Sequence, residues 1–242
     1  MLSSPYFPST EAKCSSKILK VSTVPSNPTY FELYREVCHR KPLLIQEIVA
    51  GDPWKLLVAV TFLNKTSGKI AIPVFWNVIA RWPTPLMLSR VDENELIDAI
   101  QHLGTQNIRA KRLVLLSRAY LQDPPSFYDL RPSKPGVVTL QLTKSTESSI
   151  RQKTRYPPTP ISHLPGTGPY ALDSYRIFCT LHHDPSSNEW QNVTPTDKEL
   201  IRFLKWKWAV AEHRQWSATS GLGGTATTEY LVSLISDLTS LN

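Results

Sequence analysis

The chain has 242 residues, 41% of them hydrophobic, with a formal net charge of +7 and a sequence pI near 9.3. That length allows one large domain with tails, and the basic balance points to a polyanionic partner, nucleic acid or an acidic membrane surface, or else to a solvated basic face. The three scattered cysteines, Cys14, Cys38 and Cys179, exclude a disulfide framework and a four-cysteine zinc or iron–sulfur site within the chain, and favour a reducing compartment. Met1 to Pro5 lacks the basic segment and apolar run of a leader, and no apolar run is long enough to cross a bilayer, so a soluble intracellular protein is expected.

Residues 1–27 are rich in Ser, Pro and Lys and read as a flexible basic arm. Pro28 opens a predicted helix to about His39, with Asn27 as its cap, and Pro42 opens a short one to Val49. Asp52-Pro53 is a strong helix start, and Trp54 to Leu63 is apolar nearly all round, which predicts a buried central helix. An exposed loop, Asn64 to Lys69, precedes a helical pattern from Ile70 to Trp82 that Pro73 should kink or reset. Asp92 and Glu95 form a predicted capping box for Glu93 to Leu103, which Gly104 ends.

After a turn at Thr105, Gln106 and Asn107, residues Ile108 to Leu121 have the pattern of an amphipathic helix with Arg109, Lys111 and Arg112 near its start. Cations at the positive end of a helix dipole are explained by phosphate contact or by salt bridges to a neighbouring carboxylate, and the pattern leaves both open. From about residue 122 to 158, repeated prolines and a Lys, Ser and Thr-rich stretch predict an irregular inserted loop; Val137 to Leu142 alternates like a strand but has no visible partner. Adjacent His182 and His183 lack a helical i, i+4 metal-binding pair. A long helix is predicted from Thr194 to about His213 with Asp197 in its first turn. A Gly- and Ser-rich linker follows, and then a short C-terminal helix carrying Leu231, Leu234, Ile235, Leu238 and Leu241.

One stretch organises the rest. Leu164-Pro-Gly-Thr-Gly-Pro169 combines a Gly-x-Gly turn at Gly166 and Gly168 with a proline suited to a first helical position, and Ala171, Tyr175, Phe178 and Cys179 follow at helical spacing. Thr159 and Pro160 resemble the start of a short helix from Ile161 to Leu164, so the unit reads helix, hairpin, helix. Turn amides beside a helix N-terminus suit a phosphate, although similar turns join helices that bind nothing.

Taken together, the hairpin and the later Val193-Thr-Pro-Thr-Asp197 resemble the helix-hairpin-helix DNA glycosylases related to endonuclease III. The resemblance is nearer to the glycosylase domain of the methyl-CpG-binding thymine DNA glycosylases. It rests on Asp52-Pro-Trp-Lys-Leu-Leu, Phe62-Leu-Asn-Lys-Thr-Ser-Gly-Lys-Ile-Ala-Ile-Pro, Ile108-Arg-Ala-Lys and Asp173-Ser-Tyr-Arg-Ile-Phe-Cys, and covers roughly residues 42 to 213 without the two polar loops. It implies an all-α, two-lobed fold over residues 28–216, with residues 217–242 as linker and C-terminal helix, and a nuclear, monomeric enzyme acting on double-stranded DNA with a mismatched or deaminated base. No membrane contact and no iron–sulfur cluster are expected, but a monovalent cation at the hairpin is.

The resemblance also distributes roles. Asp197 becomes the catalytic carboxylate, stabilising positive charge on the sugar and aligning water, where the residues alone read as a helix-terminal acid; Asp173 is the rival. Tyr170 stands where strand-cleaving relatives carry a lysine, and a phenol forms no Schiff base, which implies a monofunctional glycosylase. Tyr170 and Gln46 become base-binding residues, with ordinary packing as the alternative for Gln46. Gly166, Thr167, Gly168, Lys69, Arg109 and Lys111 become DNA-backbone contacts, and Lys65 with Thr105 or Gln106 the residues that enter the duplex. Lys65 and Thr105 depart from the arginine and leucine of the relatives, giving a more polar wedge. The other classes left open are a helix-hairpin-helix DNA-structure binding protein without catalysis, and an adenine or other mismatch glycosylase.

Overall fold

The computed structural model describes residues 28–144 and 149–239. The basic arm, Asn27 and Leu241 lie outside the described residues. The chain is predominantly helical: α1 (Tyr30–His39), α2 (Ile45–Ile48), α3 (Pro53–Leu63), α4 (Gly68–Arg81), α5 (Pro85–Ser89), α6 (Glu93–Ala99) and α7 (Gln106–Gln122) come first. A hairpin of β1 (Val138–Lys144) and β2 (Ser149–Arg155) follows, then α8 (Pro169–Ser174), a π-helical turn over Tyr175–Cys179, α9 (Thr180–His183) and α10 (Lys198–Ala211). A second hairpin, β3 (Arg214–Ser217) and β4 (Gly221–Thr225), leads to α11 (Thr228–Thr239).

Helix α3 is the axis of the main core. Asp52 caps it by accepting from Trp54 N and Lys55 N, both at 3.1 Å, and Pro53 occupies the first turn, where a missing N–H costs nothing. Trp54, Leu56, Val58 and Phe62 are fully buried, so the apolar all-round pattern corresponds to a helix covered on every side by α2, α4, α7, α8 and the π turn. The Trp54 indole N–H donates to Ser117 Oγ at 3.0 Å, giving the one polar atom of that side chain a buried partner on α7.

A second apolar cluster joins α1, α10 and α11. Leu33 and Val37 of α1 pack with Ala209 of α10 and with Ala226, Leu231, Leu234 and Leu238. The C-terminal helix therefore docks its apolar stripe on α1 and α10.

Several boundaries differ from expectation for local reasons. Thr29 caps α1 in a reciprocal box with Glu32: Thr29 N donates to Glu32 Oε2 at 2.8 Å and Glu32 N to Thr29 Oγ1 at 3.4 Å. Helix α4 starts at Gly68 and runs through Pro73 without ending. The donor that Pro73 lacks would have gone to the Lys69 carbonyl, and Lys69 is exposed, so solvent can supply it. Asp92 caps α6 through Asn94 N at 2.7 Å, and the chain passes from α6 through a 3₁₀ turn, Gln101–Leu103, to Gly104 at φ 68°.

The insertion between α7 and α8 is not irregular throughout. Strands β1 and β2 pair antiparallel from Val138↔Arg155 to Lys144↔Ser149, and Arg131 pairs with Thr159 beyond them. Likewise, the Gly-rich stretch expected as a linker pairs as β3 and β4, anchored by buried Trp216 opposite Leu222. Residues Ile161 to Leu164 form hydrogen-bonded turns rather than a helix; Thr159, engaged with Arg131 and Ser162, is not a helix cap.

Candidate functional site

The Gly-x-Gly turn is a tight one. Gly166 has φ 81°, and Gly168 N donates back to Gly166 O at 3.0 Å, so the Gly168 amide is already committed inside the turn. Gly168 then becomes the N-cap of α8 with no side-chain cap, and Pro169 occupies its first turn. Thr167 is buried; its hydroxyl turns inward to the carbonyls of Leu164 at 2.7 Å and Ser162 at 3.2 Å, while Gly166 is exposed. The Lys134 ammonium also donates to Leu164 O, at 2.9 Å. Both lone pairs of the Leu164 carbonyl are thus engaged, one of them by a cation of the chain itself.

The α8 helix widens into the π turn at Tyr175–Cys179, a feature frequent at functional sites. It lies one turn beyond Tyr170. Tyr170, in the first turn of α8, receives a 2.8 Å hydrogen bond from Gln46 Nε2 of α2. Gln46 is 2% exposed, so its side-chain donor is spent on Tyr170 rather than solvent. Burial pushes the Tyr170 phenol above the usual tyrosine range and the Asp197 carboxylate pushes it further, against the opposing effect of Gln46, so the phenol stays protonated.

Asp197 is the N-cap of α10, one residue before its first turn. Oδ1 accepts from Glu199 N and Leu200 N, both at 3.0 Å. Asp197, Tyr170 and Gln46 line a single cleft of about 670 Å³ together with Lys65, Thr66, Lys69 and Arg202. That volume lies within the range of small-molecule sites. Glu199 and Arg202 also line it, ion-paired at 3.0 Å, and Arg202 Nη2 donates to Leu238 O of α11 at 2.9 Å. The sequence reading missed this pair, whose i, i+3 spacing directly after Asp197 was its available signal.

Asp173 sits elsewhere, against a separate cavity of about 200 Å³ between β1, β2 and the segment before α10. It is 4% exposed and accepts from the Tyr156 phenol at 2.7 Å. Arg176 lies over the Tyr156 ring and is ion-paired to Glu189 at 2.8 Å. Burial raises the Asp173 carboxyl to about 7, against the Tyr156 hydrogen bond and the Arg176 charge, with Asp197 pushing upward as well.

The basic residues divide. Lys65, Lys69, Thr105 and Lys111 are exposed and Gln106 is half-buried, and Lys65 and Thr105 both have left-handed backbones at φ 60° and 49°. Arg109 is a correction: it is 7% exposed, and its guanidinium is bonded to protein atoms throughout, so it is not presented to a phosphate. His182 also has a packing role, since a Cβ on Gly51 would lie 2.7 Å from its Nε2. Among the described residues, no group of three or more His, Cys, Asp or Glu side chains could hold a metal ion.

No family model matches the chain. It is similar to a methyl-CpG-binding domain protein 4-like protein of Arabidopsis thaliana, 29% identical over 157 residues, or 65% of this chain and 26% of the relative. It is 36% identical over 92 residues to a thymine/uracil-DNA glycosylase of Pyrobaculum aerophilum, covering 36% of this chain and 40% of the relative. A thymine-DNA glycosylase of Aeropyrum pernix is 36% identical over 68 residues, 28% of this chain and 30% of the relative. The matched segments thus span between about a quarter and two fifths of these relatives, and at that coverage the chain is related in sequence to DNA glycosylases.

Proposed function

We propose that the chain is a monofunctional DNA glycosylase that hydrolyses the N-glycosidic bond of thymine or uracil mispaired with guanine. The observation that carries this reading is the convergence of Asp197, Tyr170 and Gln46, from three separate elements, on one cleft whose rim holds Lys65 and Lys69. The relatives' names supply the substrate class.

In this reading the target nucleotide is extruded from duplex DNA into the cleft, at an unstacking cost of a few kcal/mol that is lower at a mismatch. The Gly-x-Gly turn at Gly166 holds one DNA backbone, and the Lys65 and Thr105 tips fill the gap left in the stack. The Tyr170 phenol, held by Gln46, contacts the base. As the bond from C1′ to the base nitrogen breaks, the base leaves with the electron pair and positive charge develops on the sugar. Asp197 stabilises that charge and orients the water that attacks C1′. Its cap bonds fix Oδ1, leaving the second carboxylate oxygen for the chemistry. The enzyme works as a monomer in the nucleus in a base-excision pathway.

Lys198 lines the same cleft with a largely exposed side chain, 3.9 Å from Glu199, but lies one residue beyond the carboxylate rather than at position 170. The test is single-turnover base release from duplexes containing G:T, G:U and 8-oxoguanine:A pairs, with wild type and Asp197→Asn. Release from G:T or G:U, lost in the variant, is expected. No release from any duplex returns the chain to a DNA-structure binding protein, release from only the adenine pair makes it an adenine glycosylase, and alkali-independent nicking removes the monofunctional assignment.

A further inference from the structure

Arg109 is buried without any anionic hydrogen-bond partner. Its Nε donates to Gly104 O at 3.0 Å and Thr105 Oγ1 at 3.3 Å. Nη1 donates to Thr61 O and to Phe62 O at 3.1 Å, and Nη2 to Asn64 O and Thr66 Oγ1, both at 2.8 Å. Burial lowers the stability of the charged form, with Arg112 adding in the same direction. The compensation is dipolar: Thr61, Phe62 and Asn64 close the C-terminal turn of α3, where unpaired carbonyls form the negative end of the helix dipole.

The same guanidinium reaches two loops at once. One set of bonds holds Asn64 and Thr66, on either side of Lys65; the other holds Gly104 and Thr105. Thr66 Oγ1 adds a direct bond to Leu103 O at 3.4 Å. Lys65 and Thr105 at the two tips are left-handed, a conformation that a β-branched threonine adopts only when its surroundings impose it. Two left-handed tips on different elements are thus flanked by the bonds of one planar donor fork.

We infer that Arg109 is a positioning residue that locks the Lys65 loop and the Thr105 turn into a single two-pronged unit, so that both tips engage the duplex together. This assignment rests on the glycosylase reading for its purpose but not for its geometry. Lysine at this position keeps the charge and presents donors from one nitrogen, which cannot span both loops.

Two measurements on the full chain test the coupling. In Arg109→Lys, amide hydrogen exchange at residues 63–67 and 103–106 should accelerate together by about tenfold, the order of a coupling within one hydrogen-bond network, while the buried first half of α3 exchanges as in wild type. Lys65→Ala and Thr105→Ala should then be non-additive in opening a G:U duplex that carries 2-aminopurine beside a non-hydrolysable 2′-fluorodeoxyuridine, and additive once Arg109 is lysine. Faster exchange in one loop only, loss of protection throughout α3, or additive effects in the wild-type background would overturn the coupling. Failure of the glycosylase reading shows separately, as absence of base release by the wild type with the exchange pattern unchanged.

Discussion

The Gln46 amide donates to the Tyr170 phenol at 2.8 Å, tying α2 to the first turn of α8 across 124 residues of chain. Because the phenol oxygen accepts from Gln46, its own proton is left to donate to whatever enters the cleft. Tyr170→Phe removes the acceptor and leaves a buried amide donor unpaired, which should lower unfolding stability by about 1–3 kcal/mol. Adding Gln46→Met removes the orphan as well and should recover most of that loss in urea titrations. A double variant no more stable than Tyr170→Phe alone would mean the pair is not coupled. Under the proposed function, both variants should also narrow the difference in excision rate between G:T and G:U duplexes.

Asp197 caps a helix and, under the proposed function, also carries the chemistry; asparagine separates the two. Asn caps about as well as Asp, so Asp197→Asn should change stability by less than about 0.5 kcal/mol, whereas Asp197→Ala, with no acceptor for Glu199 N and Leu200 N, should cost about 1 kcal/mol. Base release should fall by roughly 10²–10⁴-fold in both, the range for loss of a positioned catalytic group. Excision at the wild-type rate in Asp197→Asn would remove the carboxylate from the mechanism.

The elements that were legible in the sequence are those whose signal is local. Asp52-Pro53 and the apolar run behind it specify α3 within a few residues, and the Gly-x-Gly turn specifies the start of α8. Strand β2, Ser149–Arg155, was not legible, because a sequence polar at every position but Ile150 carries no apolar alternation, and β3 and β4 were hidden by glycines that read as flexibility. At the site, Gln46, Tyr170 and Asp197 were legible through resemblance and come together in one cleft. Arg109 misled for a physical reason: a cation at a helix N-terminus looks destined for phosphate, while four of its hydrogen bonds go to Thr61, Phe62, Asn64 and Thr66 at and beyond the end of α3, more than 40 residues earlier in the chain. No sequence pattern on α7 announces them.

The second core explains why the C-terminal helix belongs to the fold. Leu231 is fully buried among Leu33, Val37, Ala209 and Leu234. Leu231→Ala should destabilise the protein by about 2–5 kcal/mol, read as a lower urea midpoint with an unchanged slope. The Arg202 bond to Leu238 O links this helix to the cleft, so under the proposed function base release should weaken at temperatures where the variant is still folded. An unchanged midpoint would show that α11 does not dock on α1 and α10 in solution.

Asp173 gives the stability a pH dependence of definite sign. Its folded carboxyl titrates at about 7, against about 3.9 for an unfolded aspartate, chiefly because it is buried. Between those two values the native state binds more protons than the unfolded chain, so the stability Asp173 contributes is fully present below about pH 4 and is lost as the pH rises toward 7, then stays level. The slope in that window is at most ~1.4 kcal/mol per pH unit for one group. Asp173→Asn keeps an oxygen to accept from Tyr156 and cannot ionise, so it should flatten the profile and be the more stable form at pH 8. Urea midpoints for both proteins from pH 4 to 8 decide this. Parallel curves would mean that Asp173 is ionised in the folded protein throughout, and that Arg176, paired with Glu189 beside the Tyr156 ring, neutralises it despite its burial.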